Sequence, residues 1–185
     1  ITIGSLEGTL VKSRIESVPA VVMITMGIAA AVLLSSRTAH PYDVDVAEFL
    51  VGQRNQTLDA VMSAVTFLGS AWALAPLTLI VAAVLALRRR GSAALLLVGA
   101  MTTSWALTTV LKSAVGRPRP DVGDLIGAVS STGAFPSGHT LNSAFFLGVT
   151  AGIACAGLTV RTARIVTIVG ALVAGVAIGF SRLYL

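Results

Sequence analysis

Gly91–Val115 reads GSAALLLVGAMTTSWALTTVLKSAV, an apolar run whose one charge, Lys112, comes close to its end. At ~1.5 Å of rise per residue, a helix of this length crosses the ~30 Å hydrocarbon core of a bilayer. Arg88-Arg89-Arg90 stands immediately before it and stops an earlier apolar run, Leu58–Leu87. After it a Gly-, Asp- and Ser-rich loop extends from Gly116 to Phe135, and Ser137 opens a further apolar run that ends near Leu158. Another covers about Thr162–Phe180. The first in the chain, about Val18–Ser36, lies between Lys12 and Arg14 on one side and Arg37 and His40 on the other. Five spans are therefore expected. Leu58–Leu87 is longer than one crossing needs, which predicts a tilt or a first turn outside the membrane. The polar stretch Pro41–Thr57 carries Val46, Phe49 and Leu50 at i, i+3, i+4 spacing, the pattern of a short helix lying in the interface.

Composition agrees. The 185 residues are 55% hydrophobic and 11% charged, with a mean hydropathy of +0.90, and a soluble domain cannot hide that much apolar surface. The pI of about 10.4 is no mark of nucleic-acid binding. The 13 Lys and Arg sit in short clusters between apolar runs, with no aromatic-basic interleaving, as topology signals and a phosphate site require. Cys155 is the single cysteine, which excludes an intrachain disulfide and a cysteine-based metal site and leaves it as a small core residue. No repeat, second domain or cleavable signal peptide is read. The expectation is one all-α, polytopic transmembrane bundle over residues 1–185, with five spans and a short interfacial helix. Its beginning at Ile1 rather than Met suggests trimming at that end.

Spans that cross in alternate directions put the end of the third, the start of the fourth and the end of the fifth on one side of the membrane. Those places hold Lys112 and Arg119, then Ser137 and His139, then Arg182. The first two form Lys-x6-Arg-Pro followed by Pro136-Ser137-Gly138-His139. Two fixed cations neutralise a dianionic phosphoryl group, and Arg binds it through two parallel hydrogen bonds. Ser137 and Gly138 stand where a loop enters a helix whose free N–H groups favour an anion. His139 trades protons near neutral pH. Pro118 and Pro120 stiffen the loop around Arg119. Taken singly, Lys112 and Arg119 would read as cations snorkelling at span ends, and Ser137 as an N-cap.

The two motifs together resemble those of the type 2 phosphatidic acid phosphatase family, whose members include lipid phosphatases and vanadate-dependent haloperoxidases. The family's third motif reads Ser-Arg-x5-His-x3-Asp; Ser181-Arg182 match its start, and the chain's last residue is Leu185. The resemblance runs from about Asp43 to Leu185. It implies that Lys112, Arg119, Ser137, Gly138 and Arg182 hold the substrate phosphate and that His139 is the acid for the leaving group. The nucleophilic histidine would fall past Leu185, so a sixth span is expected to be missing and the chain as given to be inactive. The implied function is hydrolysis of a lipid phosphate or a polyprenyl (pyro)phosphate in the membrane through a phospho-histidine, with cations in place of a metal and no cofactor. The partners implied are the lipid phosphate and the bilayer, without nucleic acid. Alternatives are a haloperoxidase, against which the membrane spans speak, and a non-catalytic lipid-phosphate-binding or membrane assembly protein.

With the three proposed ligand cations set aside, the opposite face holds Lys12, Arg14, Arg88, Arg89, Arg90, Arg161 and Arg164, seven against three. The positive-inside rule then predicts a plasma-membrane protein with its site on the extracytoplasmic face. Other polar residues read as structure. His40 lies outside any motif, and Asp121 and Asp124 lack His partners and suit turns better than a metal. Gly148/Gly152 and Gly175/Gly179 predict helix-packing contacts. Thr66-Phe67-Leu68-Gly69-Ser70 also looks familial, with no chemistry to assign to it.

Overall fold

Asn55, Ser70 and Ser137 each stand just ahead of an apolar run, and each starts a helix there. The Asn55 side-chain oxygen accepts from the Leu58 N–H at 2.9 Å, the Ser70 hydroxyl from the Ala73 N–H at 3.2 Å, and the Ser137 hydroxyl from the Thr140 N–H at 3.5 Å. These bonds satisfy donors that the first turn of a helix leaves without an intrahelical acceptor. The computed structural model describes residues 41–117 and 133–185. The expected first span lies outside the described residues, as do Arg119, Asp121 and Asp124.

The described residues form six helices: α1 (Pro41–Gly52), α2 (Gln56–Leu68), α3 (Ala71–Leu87), α4 (Gly91–Val115), α5 (Gly138–Gly157) and α6 (Arg161–Tyr184). Three of them, α4, α5 and α6, are long and apolar enough to cross a membrane singly. Helix α1 forms where a short helix was expected, and its Val46 and Phe49 are exposed. Along the bundle α3 packs on α4, α4 on α5, and α5 on α6, while α1 and α2 both pack on α6.

Leu58–Leu87 is not one continuous span. It is the pair α2 and α3, bent by 44° at Gly69-Ser70. Two local features impose the break. Ser70 caps α3 and starts it afresh, while the Gly69 and Ser70 N–H groups close the end of α2 on the carbonyls of Thr66 and Phe67, at 3.0 and 2.9 Å. Gly69 is also buried against two other helices. A Cβ there would stand 2.5 Å from Ile178 Cγ2 and 3.3 Å from the His139 carbonyl oxygen. Only glycine leaves room for the Ile178 side chain and the His139 backbone to come this close.

Helix α4 supplies the central seam. Its buried residues Ala94, Leu97, Met101, Ser104 and Thr108 recur every three or four positions, one face of a helix. Ala94, Leu97 and Met101 pack with Leu74, Ala82 and Leu85 of α3 and Phe146 of α5 to make the apolar core. Helix α6 is the opposite case, with only 6% of its spanning window buried, so Val169, Val173 and Val176 are left exposed among the described residues. The glycine pairs divide. Gly175 and Gly179 face Leu147 and Thr140 of α5, at 3.8 and 3.5 Å from an added Cβ, as packing glycines do. Gly148 and Gly152 do not: among the described residues, a Cβ at either would meet no atom within 4 Å. Both are exposed among the described residues, and small-x3-small spacing alone does not say which side a pair faces.

Candidate active site

Lys112 lies in the last turn of α4. That helix stops at Gly116, whose left-handed backbone (φ 59°) turns the chain while its N–H donates to the Lys112 carbonyl at 3.0 Å. The loop that follows closes on itself where it begins. The Ala134 N–H donates to the Arg117 carbonyl at 2.8 Å, and a Cβ on Gly133 would stand 3.5 Å from the Lys112 carbonyl oxygen. Two residues past Ala134, Pro136 and then Ser137 lead into α5. The loop's two ends thus deliver the Ser137-Gly138-His139 turn beside the end of α4 from which Lys112 projects.

Gly138 is the first helical residue of α5 and sits directly on α4: a Cβ there would lie 3.3 Å from the Thr108 methyl group. Its N–H and that of His139 belong to the anion-favouring end of a helix. His139 is half-buried and within electrostatic reach of both Arg182 and Lys112. Arg182 lies in the last turn of α6, four residues beyond Ile178, which touches Gly69. Of the residues predicted from sequence, Lys112, Ser137, Gly138, His139 and Arg182 therefore gather at one end of α4, α5 and α6. The alternation of spans required this. Two cations near two helix C-termini thus lie at the same end as the N-terminus of a third helix and its imidazole, an arrangement that favours an anion.

Two features at this end were not foreseen. Beneath the site, Ser104 donates to the Asn142 side-chain oxygen at 2.7 Å, and Thr108 lies 3.3 Å from the same oxygen. All three residues are buried. Beside it, Arg54 ties the link between α1 and α2 to the end of α6, donating to the Tyr184 and Leu185 carbonyls at 2.8 and 3.1 Å. The Tyr184 hydroxyl in turn donates to Asp59 at 2.9 Å. An Asn inside an apolar run is the one sequence signal that pointed to the first. Asp59 in the first turn of α2 reads as a favourable charge at a helix N-terminus, so nothing in sequence pointed to the second.

The PAP2 superfamily model matches residues 93–185, the stretch that holds α4 but for its first two residues, α5, α6 and every predicted site residue. The chain belongs to the PAP2 superfamily. This member is 31% identical, over 157 residues, to phosphatidylglycerophosphatase B of Bacillus subtilis (strain 168), an alignment covering 84% of this chain and 76% of that protein. At that length the likeness reaches back past residue 93 into the helices ahead of α4. Its fold is similar to the crystal structure of a transmembrane PAP2-type phosphatidylglycerolphosphate phosphatase from Bacillus subtilis, with a TM-score of 0.71 and 32% identity over 78% of this chain and 71% of that one. The resemblance carried by the two motifs is thus the family, and this PAP2 protein is an integral membrane protein built of helices.

Proposed function

We propose that this PAP2 protein is a membrane lipid phosphatase, one catalytic domain that hydrolyses a lipid phosphate or polyprenyl (pyro)phosphate without a metal. The reading is carried by the convergence of Lys112, Arg182 and the Ser137–His139 turn at one end of three helices. Its similarity to a phosphatidylglycerolphosphate phosphatase makes phosphatidylglycerophosphate the first substrate to try.

In this reading Lys112, Arg119 and Arg182, with the Ser137 hydroxyl and the Gly138 amide, hold the non-bridging oxygens of the phosphoryl group. They stabilise the charge that builds there as the bond to the lipid breaks. A histidine nitrogen attacks phosphorus in line. The P–N bond forms, the P–O bond to the lipid breaks, and protonated His139 gives its proton to the departing lipid oxygen. Neutral His139 then takes a proton from water as the water oxygen attacks phosphorus, the P–N bond breaks, and inorganic phosphate leaves. The nucleophile in the family's third motif comes six residues after its Arg, a place that neither His40 nor His139 occupies. The 185 residues thus carry the acid and the phosphate ligands, and by themselves are proposed to bind phosphate without turnover.

The seven-against-three distribution of the remaining cations supports a plasma-membrane location with this end outside the cytoplasm. A cysteine at Gly123 in a Cys155→Ala background should react with an impermeant thiol reagent on intact cells, and one at Ser92 only after lysis. The reverse pattern would turn the site to the cytoplasm.

The activity is tested by phosphate release from a panel of lipid phosphates by the native-length protein in detergent. Release that survives EDTA and is blocked by vanadate is expected. No release from any member of the panel, or loss with EDTA and rescue by magnesium, would reject the proposal.

A further inference from the structure

One helical turn beneath the proposed site lies a polar seam that the chemistry above does not use. Asn142 follows His139 by three residues on α5, Thr108 precedes Lys112 by four on α4, and Ser104 lies a turn further down the same face. The Ser104 hydroxyl donates to Asn142 Oδ1 at 2.7 Å. The Thr108 hydroxyl lies 2.8 Å from the Ser104 carbonyl and 3.3 Å from the same Asn142 oxygen, so its one proton is shared between them. Ser104 is fully buried, and Asn142 and Thr108 nearly so. Above them the Thr108 methyl group bears on Gly138, where an added Cβ would come within 3.3 Å.

This arrangement fixes a register that apolar packing would not. Sliding α4 by one residue along α5 shifts it ~1.5 Å and requires a turn of about 100° to restore its face. An apolar seam such as Leu97 and Met101 against Phe146 absorbs part of such a slip by repacking. A hydrogen-bonded pair does not, because the bond falls off steeply with distance and angle and no water in the hydrocarbon replaces it. The polar pair stands where the seam meets the site, and the next residue up the same face of α4 is Lys112.

We propose that Ser104, Thr108 and Asn142 are positioning residues, a register key between α4 and α5 that seats Lys112 opposite the Ser137–His139 turn. The proposal rests on the reading of Lys112 as a phosphate ligand. It accounts for polar side chains at buried positions where the rest of the seam is apolar. It also assigns them an effect on turnover that they exert through the lysine and not through contact with substrate.

The test is a double-mutant cycle on the native-length protein in lipid nanodiscs. kcat/KM on a lipid phosphate and inhibition by vanadate are measured for Asn142→Leu, Lys112→Gln and the double variant. Asn142→Leu alone should lower kcat/KM and weaken vanadate inhibition by about 10- to 100-fold, the size of effect that a misplacement of ~1 Å has on a positioned group. In the Lys112→Gln background the same change should cost less than about threefold, because the group it seats is gone. Ser104→Ala removes the donor with little change of shape. It should give the same non-additive pattern at smaller amplitude, which keeps the test open if Asn142→Leu does not fold. Equal losses in both backgrounds would overturn the proposal and leave the seam as packing alone. Lys112→Gln without effect by itself would instead break the phosphate-ligand reading, and the positioning role with it.

Discussion

At one end of the bundle Arg88, Arg89, Arg90, Arg161 and Arg164 are all exposed, while at the other Lys112 and Arg182 are half-buried around His139. Two of the exposed arginines reach the end of a neighbouring helix. Arg164 donates to the Leu158 carbonyl at 2.7 Å, and the Arg90 guanidinium lies 3.4 Å from where a Cβ on Gly157 would be, so both sit over the end of α5 as cations near helix C-termini do. At the other end the cations belong to α4 and α6, and they gather around the N-terminus of α5, an element of neither. Number of charges does not separate the two ends. Burial does, and so does the helix end that is met, a C-terminus at one end and an N-terminus at the other. The α4 seam repeats the contrast within a single helix. It is aliphatic at Ala94, Leu97 and Met101, hydroxylic at Ser104 and Thr108, and cationic at Lys112, so polarity rises toward the end where a phosphoryl group would sit.

The contrast is sharpened most by substituting both ends in the native-length protein. His139→Ala should lower kcat by about 100- to 10,000-fold, the usual worth of a general acid, and change KM much less. Arg88→Ala and Arg161→Ala should each stay within about threefold of the parent, as surface substitutions do. Comparable losses at the two ends would dissolve the distinction.

Much of this was legible in the chain because punctuation and chemistry coincide. Arg88-Arg89-Arg90 and Gly116 bound α4 where the apolar run suggested, and Ser137 starts α5 for the same reason it is a candidate ligand: its hydroxyl and the amides after it face the open end of a helix. Alternation of the spans was enough to bring Lys112, His139 and Arg182 together. The break at Gly69-Ser70 was hidden, since hydropathy is continuous through it and the groups that crowd Gly69, on α5 and α6, are distant in sequence. Asn142 was passed over because one polar residue in an apolar run acquires a role only when a partner faces it. Ser104 comes to face it through the packing of α4 on α5, which periodicity within either helix does not report. The same holds for Gly148 and Gly152, whose spacing is that of a contact pair and whose side of the helix is not.

Glycines give the next largest contrast. Gly69→Val should destabilise the fold by about 1–3 kcal/mol, the ordinary cost of overpacking. It should also reduce turnover, since the added atoms press on Ile178 and the His139 backbone. Gly148→Ala, with open space around it, should leave turnover unchanged and stability equal or up to about 1 kcal/mol higher through helix propensity. Thermal midpoints in detergent and phosphate release measured on the same preparations separate the two. A neutral Gly69→Val would mean that the bend between α2 and α3 does not press on the site.

The smallest effect belongs to the arginine end. Arg89 holds a left-handed backbone (φ 60°) in the short turn between α3 and α4, a conformation that costs a non-glycine residue about 1–2 kcal/mol. Arg89→Gly should therefore raise the thermal midpoint slightly, or leave it in place where the added chain entropy of glycine cancels the gain. Turnover should not change. A clear loss of turnover would give this turn a part in function that the contrast denies it.

The most direct measurement is a structure of the native-length protein with vanadate bound, since vanadate takes the geometry of a phosphoryl group in transfer. Vanadium density is expected at the N-terminus of α5, with its oxygens in hydrogen-bond reach of Lys112, Arg182 and the Gly138 amide and His139 alongside. Vanadate held instead among Arg88, Arg89, Arg90, Arg161 and Arg164, with nothing between Lys112 and Arg182, would contradict the assignment of the site.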